Sequence, residues 1–475
     1  MIRRLIRRHV KPPQLVVLSF ALVVFVGTAL LSLPAATRTG RGLPLVDAFF
    51  TAVSATCVTG LAVVDTGTVF STFGQLVILS CIQVGGLGLM TFTTVLLISV
   101  GRRLAIADRV IIQESFHHTP TGRVATVIKY IVVATFAVEG AGALLLGAHW
   151  LREGRYETLG ETAYSAVFHS VSAFCNAGFS LHADSLVGFS RDFFSLAVIS
   201  ALIVIGGLGF LVGLDLKEYV QLRWLGRLRT EEVGKLAGVG LRRPRLSVHT
   251  KLVLITTAAL LAVGTVSFYL LERRGVLAGM TTAGAWANAW FLSVTPRTAG
   301  FNTIDYARLG GPGLLCTMVL MFIGASPGST GGGIKTSTFA LLVAFSLWRW
   351  RGFTRLHVFN RTIPEDTVDR AAAVVVASLA LLILATSALM ATEAFGESAE
   401  QSQRDFLPVL FESVSAFATV GLSMGQTALL TPAGKLIVAA LMFMGRTGPL
   451  TLALAISLRR SRAQFRFAEE NVMIG

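Results

Sequence analysis

Charge is scarce in this sequence. Asp, Glu, Lys and Arg make up 14% of its 475 residues, against 53% that are hydrophobic, and the mean hydropathy is +0.69. Soluble domains carry about 25% charged residues, so a soluble globule is excluded and the main solvent is lipid. Cysteine is scarce too. Cys57, Cys81, Cys175 and Cys316 stand apart in apolar surroundings, with no C-x-x-C and no histidine at ligand spacing, which excludes a disulfide framework or a cysteine metal site. Acids and histidines gather at no single membrane depth. That removes the side chains a membrane-embedded enzyme acting on lipid or isoprenoid substrates would need, and no enzyme is expected.

What is abundant is apolar sequence. A helix needs about 20 apolar residues to cross a hydrocarbon core of about 30 Å, and eight runs qualify: 14–33, 73–100, 125–151, 193–214, 252–271, 314–347, 371–390 and 436–458. The first follows Arg3, Arg4, Arg7 and Arg8 and precedes Leu33-Pro34-Ala35-Ala36, as a secretory signal would. Its length and the pattern continuing after it mark it instead as the first spanning helix.

A net charge of +15 would suggest nucleic acid for a soluble protein. Here 28 of the 41 Lys and Arg fall at the N-terminus and within 102–129, 217–251, 349–370 and 459–466. The alternate loops hold 11, Arg297 among them, leaving Lys335 and Arg446 inside hydrophobic runs. This positive-inside asymmetry places both termini in the cytoplasm and argues against nucleic acid.

Between successive pairs of runs lies a shorter apolar segment ending in glycine, and the four segments superimpose: FTAVSATCVTGL, FHSVSAFCNAGF, FLSVTPRTAGF and FESVSAFATVGL. Their glycines, Gly60, Gly178, Gly300 and Gly421, are 118, 122 and 121 residues apart, and the third copy is one residue shorter. Four copies at near-constant spacing define repeats of span, re-entrant half-helix, loop and span. Isolated amphipathic loops lying on the membrane would not recur this way. Irregular backbone at membrane depth survives only where protein buries it or it lines a wet path. A half-helix entering from outside aims its partially negative end at the membrane centre, which favours a cation there. Glycine lets successive carbonyl oxygens turn inward and replace an ion's water shell.

With these segments in view, the chain resembles the Trk/Ktr/HKT superfamily of potassium transporters over nearly its full length. It is most similar to the membrane subunit of bacterial Ktr systems, since KPPQ leads directly into the first run and the chain closes with EENVMIG. The resemblance implies an all-α membrane protein with four pseudo-repeats of span, pore half-helix, filter loop and span around a single central pore, eight transmembrane helices in all. The repeats are expected at 1–104, 105–224, 225–356 and 357–475, the last including a cytoplasmic tail. It implies a selectivity filter at Val58, Thr59 and Gly60; Asn176, Ala177 and Gly178; Thr298, Ala299 and Gly300; and Thr419, Val420 and Gly421. In plant relatives, serine in place of the first glycine goes with sodium permeation, so Gly60 argues for potassium.

A second motif, GASPGSTGGGIKTS at 324–337, interrupts the sixth run, and a helix cannot continue cheaply through it. Ile334 before Lys335 breaks the phosphate-binding P-loop spacing by one residue, and no strand precedes it. The resemblance makes this segment an intramembrane loop that obstructs the pore, with Gly324, Ser326, Gly328, Ser329, Thr330, Gly331, Gly332, Gly333, Lys335 and Arg446 as gate residues. An arginine inside a spanning run needs a partner or a wet cavity. Arg446 is expected against loop carbonyls and hydroxyls such as Ser326, Ser329 and Thr330, with an ion pair to Glu139 as the alternative. His169 and Glu412, equivalent in the second and fourth segments, are expected to anchor loops by hydrogen bonds, and Glu139 to make a packing hydrogen bond. The pairs 85–88 and 206–209, both GGLG, are expected to allow close helix approach.

The resemblance further implies potassium uptake across the cytoplasmic membrane by a multi-pass homodimer, each subunit with its own pore, docked on a cytosolic ring of nucleotide-binding regulatory subunits. No covalent cofactor is expected; potassium is the transported ligand and sodium a candidate activator. Membrane lipid is the other partner. The rival reading is a sodium-permeable or sodium- or proton-coupled symporter of the same fold.

Overall fold

Long apolar runs in lipid can satisfy their backbone polar groups only by closing i to i−4 hydrogen bonds, and the computed structural model is accordingly helical. It describes residues 12–88, 124–228, 245–353, 355–393 and 398–458. In chain order the helices are α1 (Pro12–Leu31), α2 (Leu45–Thr56), α3 (Thr72–Gly86), α4 (Val124–Arg152), α5 (Leu159–Phe174), α6 (Phe193–Leu208) and α7 (Phe210–Leu228). There follow α8 (Val248–Glu272), α9 (Thr282–Val294), α10 (Gly311–Phe322), α11 (Thr336–Trp350), α12 (Glu365–Glu393), α13 (Ala399–Phe417) and α14 (Pro432–Leu458). Among the described residues the strands are a hairpin of two-residue segments, β1 (His357–Val358) and β2 (Arg361–Thr362), turning through Phe359 and Asn360 at positive φ.

Among the described residues three helices are each long and apolar enough to cross a membrane: Ile128–Arg152, Val248–Glu272 and Glu365–Glu393. Their most apolar windows are only 28%, 33% and 28% buried, so most of each surface is left to lipid. The packed interior lies elsewhere, in the ends of α2, α5, α9 and α13 and the turns that follow them, where Phe50, Phe168, Phe291 and Phe411 are fully enclosed. Lipid tails are as apolar as leucine, so close backbone approach replaces hydrophobic drive between helices. A Cβ on Gly142 of α4 would press on the Ser170 hydroxyl of α5, and one on Gly264 of α8 on that of Ser293 in α9.

Each of α2, α5, α9 and α13 packs between the helices that precede and follow it. The following helix also reaches the next of these four: α3 packs on α5, α6 on α9, α10 on α13, and α14 returns to α2. The contacts therefore close on themselves.

Caps recur as well. Glu272 at the end of α8 accepts from the Gly310 amide (3.1 Å) at the start of α10, and Glu393 at the end of α12 from the Thr431 amide (3.1 Å) and hydroxyl (2.7 Å) at the start of α14. Asp192 starts α6 the same way from within, accepting from the Ser195 amide (3.1 Å).

Two expected spans are altered. The run 193–214 does not continue straight: α6 and α7 meet at 94°. Gly209 takes φ +89°, and a Cβ there would lie 2.6 Å from the Pro327 carbonyl, so a loop from another part of the chain occupies the inside of the bend. In the run 314–347, α10 ends at Phe322 and α11 begins at Thr336, with irregular backbone between. The run 73–100 is helical through Gly86, and its remainder from residue 89 lies outside the described residues.

Candidate functional site

The four aligned segments end alike. Two residues before each glycine the chain turns left-handed, at Val58 (φ 57°), Asn176 (59°), Thr298 (75°) and Thr419 (49°), and the glycine is left-handed again, at 94°, 70°, 77° and 94° for Gly60, Gly178, Gly300 and Gly421. Three of the four non-glycine positions are β-branched, for which this conformation is a genuine outlier costing about 1–2 kcal/mol each.

Hydrogen bonds from the same place in each segment impose it. The Gly60 amide donates to the Ser54 hydroxyl (3.1 Å) and the Gly421 amide to that of Ser415 (3.1 Å). The Ser172 hydroxyl donates to the Phe179 carbonyl (2.7 Å) and the Thr295 hydroxyl to that of Phe301 (2.5 Å). These four hydroxyls were not among the sequence candidates. Their signal was there, since a Ser or Thr stands four residues after the leading Phe in all four segments.

The glycines form a ring. A Cβ on Gly60 would collide with the Ala177 carbonyl and reach 3.0 Å from the Gly178 Cα; on Gly178 it would lie 2.9 Å from the Ala299 carbonyl and from the Gly300 Cα. On Gly300 it would strike the Val420 carbonyl, and on Gly421 the Thr59 carbonyl, which returns the circuit to Gly60. Thr59, Ala177, Ala299 and Val420 thus each set a carbonyl oxygen against a neighbouring glycine. Four further oxygens, Thr59 Oγ1, Asn176 Oδ1, Thr298 Oγ1 and Thr419 Oγ1, are buried without a protein hydrogen-bond partner, the donor chemistry an alkali cation takes in place of water.

Against the ring lies the irregular segment between α10 and α11. Gly331 faces the Thr298 hydroxyl and Gly332 that of Thr419 so closely that a Cβ on either would overlap the oxygen. The Asn176 amide donates to the Thr330 hydroxyl (3.0 Å), which donates to the Phe174 carbonyl (3.2 Å). Within the segment, Lys335 Nζ donates to the Gly331 carbonyl (2.7 Å) and Ser326 pairs with the Thr336 hydroxyl (2.9 Å). The Ser329 hydroxyl accepts from the Gly331 amide (3.3 Å), while Gly324 and Gly333 sit back to back, and Gly328, at φ +69°, accepts from the Phe210 amide through its carbonyl (3.0 Å).

Arg446 reaches this segment from α14. It donates through Nη1 to the Thr330 carbonyl and through Nη2 to the Gly85 carbonyl on α3 (2.6 Å). Of the hydroxyls offered by the sequence it takes none, because carbonyls stand nearer. Glu139 is occupied elsewhere, accepting from Gln83 (3.1 and 3.2 Å) and from the Cys175 thiol (3.6 Å) directly behind Asn176.

His169 and Glu412 hold the chain beyond the glycines. His169 Nε2 meets the Ser180 hydroxyl (3.1 Å), and Glu412 accepts from Ser423 (2.8 Å) and from Thr427. Ser180 and Ser423 each lie two residues past their glycine. Outside the membrane span, His182 stacks on His169 with ring centres 5.0 Å apart. Burial and the Arg155 charge hold its imidazole below its ordinary pKa, against the opposing pull of Asp184 and Asp65.

The GGLG pairs divide their work. Gly85 approaches the Thr56 carbonyl and Gly206 the Phe174 carbonyl, as Gly445 does that of Phe417, so helix backbones press on the ends of α2, α5 and α13. Gly209 instead makes the bend.

One residue is corrected outright. Arg297, counted with the loop arginines in the sequence, is 5% exposed and lies within the third turn, one residue before Thr298. It lies three residues past the end of α9, inside the third aligned segment FLSVTPRTAGF, although the charge tally counted it with the loop arginines.

Comparison with known proteins gives the family and the fold. A family model described as TrkH, a cation transport protein, matches residues 6–465. The Ktr system potassium uptake protein B of Vibrio alginolyticus is 39% identical over 467 residues, 98% of this chain and 95% of that protein. The potassium/sodium uptake protein NtpJ of Enterococcus hirae is 34% identical over 476 residues, 100% and 99% of the two chains. The crystal structure of the potassium transporter TrkH from Vibrio parahaemolyticus has a similar fold, with a TM-score of 0.68 at 20% identity, over 96% of this chain and 86% of that one. A match spanning nearly the whole chain, together with relatives above 30% identity along their full length, places this chain in the TrkH family of cation transport proteins.

Proposed function

We propose that this chain takes up potassium across the cytoplasmic membrane, through a filter built where its four glycine turns meet. The observation that carries the reading is the closed circuit of Gly60, Gly178, Gly300 and Gly421, each backed by a neighbour's carbonyl. Left-handed residues on either side of Thr59, Ala177, Ala299 and Val420 let successive carbonyls turn toward one side, and oxygens so arranged replace an ion's hydration shell. The C-terminal ends of α2, α5, α9 and α13 converge on the ring, and their partial negative charge favours a cation.

On this reading the four turns belong to four repeats around one pore, with eight crossings in which the bent pair α6 and α7 and the broken pair α10 and α11 each count as one. The segment 324–337 is the gate and Arg446 its latch. Both termini face the cytoplasm, as the basic loops favour. The names of the Vibrio and Bacillus subtilis relatives, Ktr system proteins at 39% and 36% identity, support a multi-component assembly. We extend this to a homodimer docked on a cytosolic nucleotide-binding ring, with sodium as an activator. The name of the Enterococcus relative gives the sodium-permeable reading its support, and a glycine rather than serine at position 60 weighs against it.

The test is uptake into proteoliposomes of the purified protein, with potassium, rubidium and sodium compared and Gly178→Asp as the control. Potassium and rubidium uptake well above sodium, abolished by the substitution, is expected. Equal sodium flux, or flux indifferent to Gly178, would overturn the filter assignment.

A further inference from the structure

We infer that Arg297 sets the cation affinity of the ring by cancelling the negative end of α9, the third of the four helices that converge there. The inference rests on the reading of the glycine ring as the cation path.

Three observations carry it. Arg297 is 5% exposed, and its hold on the surrounding protein is slight: Nη2 lies 3.4 Å from the Thr257 hydroxyl of α8, and Nε has no hydrogen-bond partner. Among the described residues no carboxylate pairs with it. Removing a guanidinium from water without a counter-ion is costly, so its charge must be compensated by something other than an acid.

The second observation is position. Arg297 follows Val294, the last residue of α9, by three, and its own amide donates to the Val294 carbonyl (3.2 Å). A cation within a turn of a helix C-terminus is stabilised by the helix's partial negative charge, which supplies the missing compensation. The third is asymmetry. The turns after α2, α5 and α13 read Cys57-Val58-Thr59, Cys175-Asn176-Ala177 and Ala418-Thr419-Val420 and carry no charge. Only the third end carries a full positive charge within its own turn, one residue from Thr298, whereas the end of α2 is approached from outside the turn, by Arg446 at the Gly85 carbonyl beside that of Thr56.

The consequence is electrostatic. A fixed cation beside the ring raises the energy of a bound potassium ion and keeps binding weak, which speeds exit as well as limiting occupancy. Arg297 is a positioning residue for the field, not a ligand.

The experiment is rubidium uptake into proteoliposomes over a range of concentrations, for wild type, Arg297→Gln, Arg297→Lys and Gly178→Asp. Treating the charge as about 8 Å from the ion with an effective dielectric of about 20, Arg297→Gln should lower the half-saturating rubidium concentration roughly three- to thirtyfold, with no rise in maximal rate. Arg297→Lys should stay near wild type. Arg297→Met serves in place of the glutamine variant if that one does not fold. An unchanged or raised half-saturating concentration in a folded neutral variant would overturn the inference. So would failure of both neutral variants to fold while the lysine variant folds and transports, since the charge would then serve assembly. Loss of flux in Gly178→Asp keeps the ring reading intact in either case; flux that survives Gly178→Asp defeats that reading first.

Discussion

Arg446 donates to the carbonyl of Thr330, 116 residues earlier in the chain. Its other terminal nitrogen holds the Gly85 carbonyl at 2.6 Å, so a single guanidinium on α14 joins the segment under the ring to the end of α3. A hydrogen bond from a charged donor contributes about 1.5–3 kcal/mol. Arg446→Ala should therefore free the segment and raise resting rubidium flux into proteoliposomes by about tenfold or more, the factor corresponding to about 1.4 kcal/mol. Unchanged or lower flux from protein present at equal amount would count against the latch.

Gly60 tests the ring's geometry. It sits at φ +94°, and any side chain there meets the Ala177 carbonyl. Gly60→Ser must push the first and second turns apart, at a cost of about 1–2 kcal/mol in backbone strain alone. The potassium-to-sodium uptake ratio is expected to fall, by about tenfold. A ratio equal to wild type would show that the contact between these turns does not set selectivity.

Glu272 tests the caps. It is 2% exposed and holds the amide at the start of α10. Glu272→Ala removes the buried acceptor from the amide of the exposed Gly310, a loss of about 0.5–1.5 kcal/mol, and thermal unfolding in detergent should shift down accordingly. Glu272→Gln, which keeps an acceptor oxygen, should recover most of the loss. Equal melting of all three proteins would remove the cap from the account of stability.

Asp192 gives the chain an acid-labile contact outside the spans. Burial opposes its ionisation, but the Ser195 hydroxyl (2.6 Å) and amide and the His149 ring (2.9 Å) bind the carboxylate and outweigh burial, so its pKa lies below the ordinary value. A carboxyl depressed on folding contributes stability above its unfolded pKa of about 3.9, and that contribution is lost as pH falls through the lower folded value. The melting difference between wild type and Asp192→Asn should thus be full at pH 6 and shrink below about pH 4. A difference that stays constant down to pH 3 would exclude the carboxylate as its source.

Much of this protein can be read from one dimension because lipid imposes local rules. Helix formation in apolar runs follows from backbone satisfaction within each run, and the runs at 125–151, 252–271, 371–390 and 436–458 all lie in helices. The four glycine segments are legible because a repeated structure repeats its residues, down to the hydroxyls of Ser54, Ser172, Thr295 and Ser415. The break at 324–337 announces itself by composition alone.

What only the tertiary structure decided are contacts between residues far apart in the chain. Gly209 bends its run because Pro327 occupies the inside of the turn, and a window over 193–214 contains no trace of Pro327. Arg446 chooses the carbonyls of Gly85 and Thr330 over hydroxyls and over Glu139 because packing brings those two oxygens within reach. Arg297 passes in the sequence for a loop arginine, and only the burial of its turn against α8 turns it into an enclosed charge. Sequence by itself determined the class, the four recurring glycine segments and the kind of chemistry, because these depend on composition and period. Placement of charge around the ring was left to the fold, because electrostatic effect depends on burial and distance, and neither is written in a sequence.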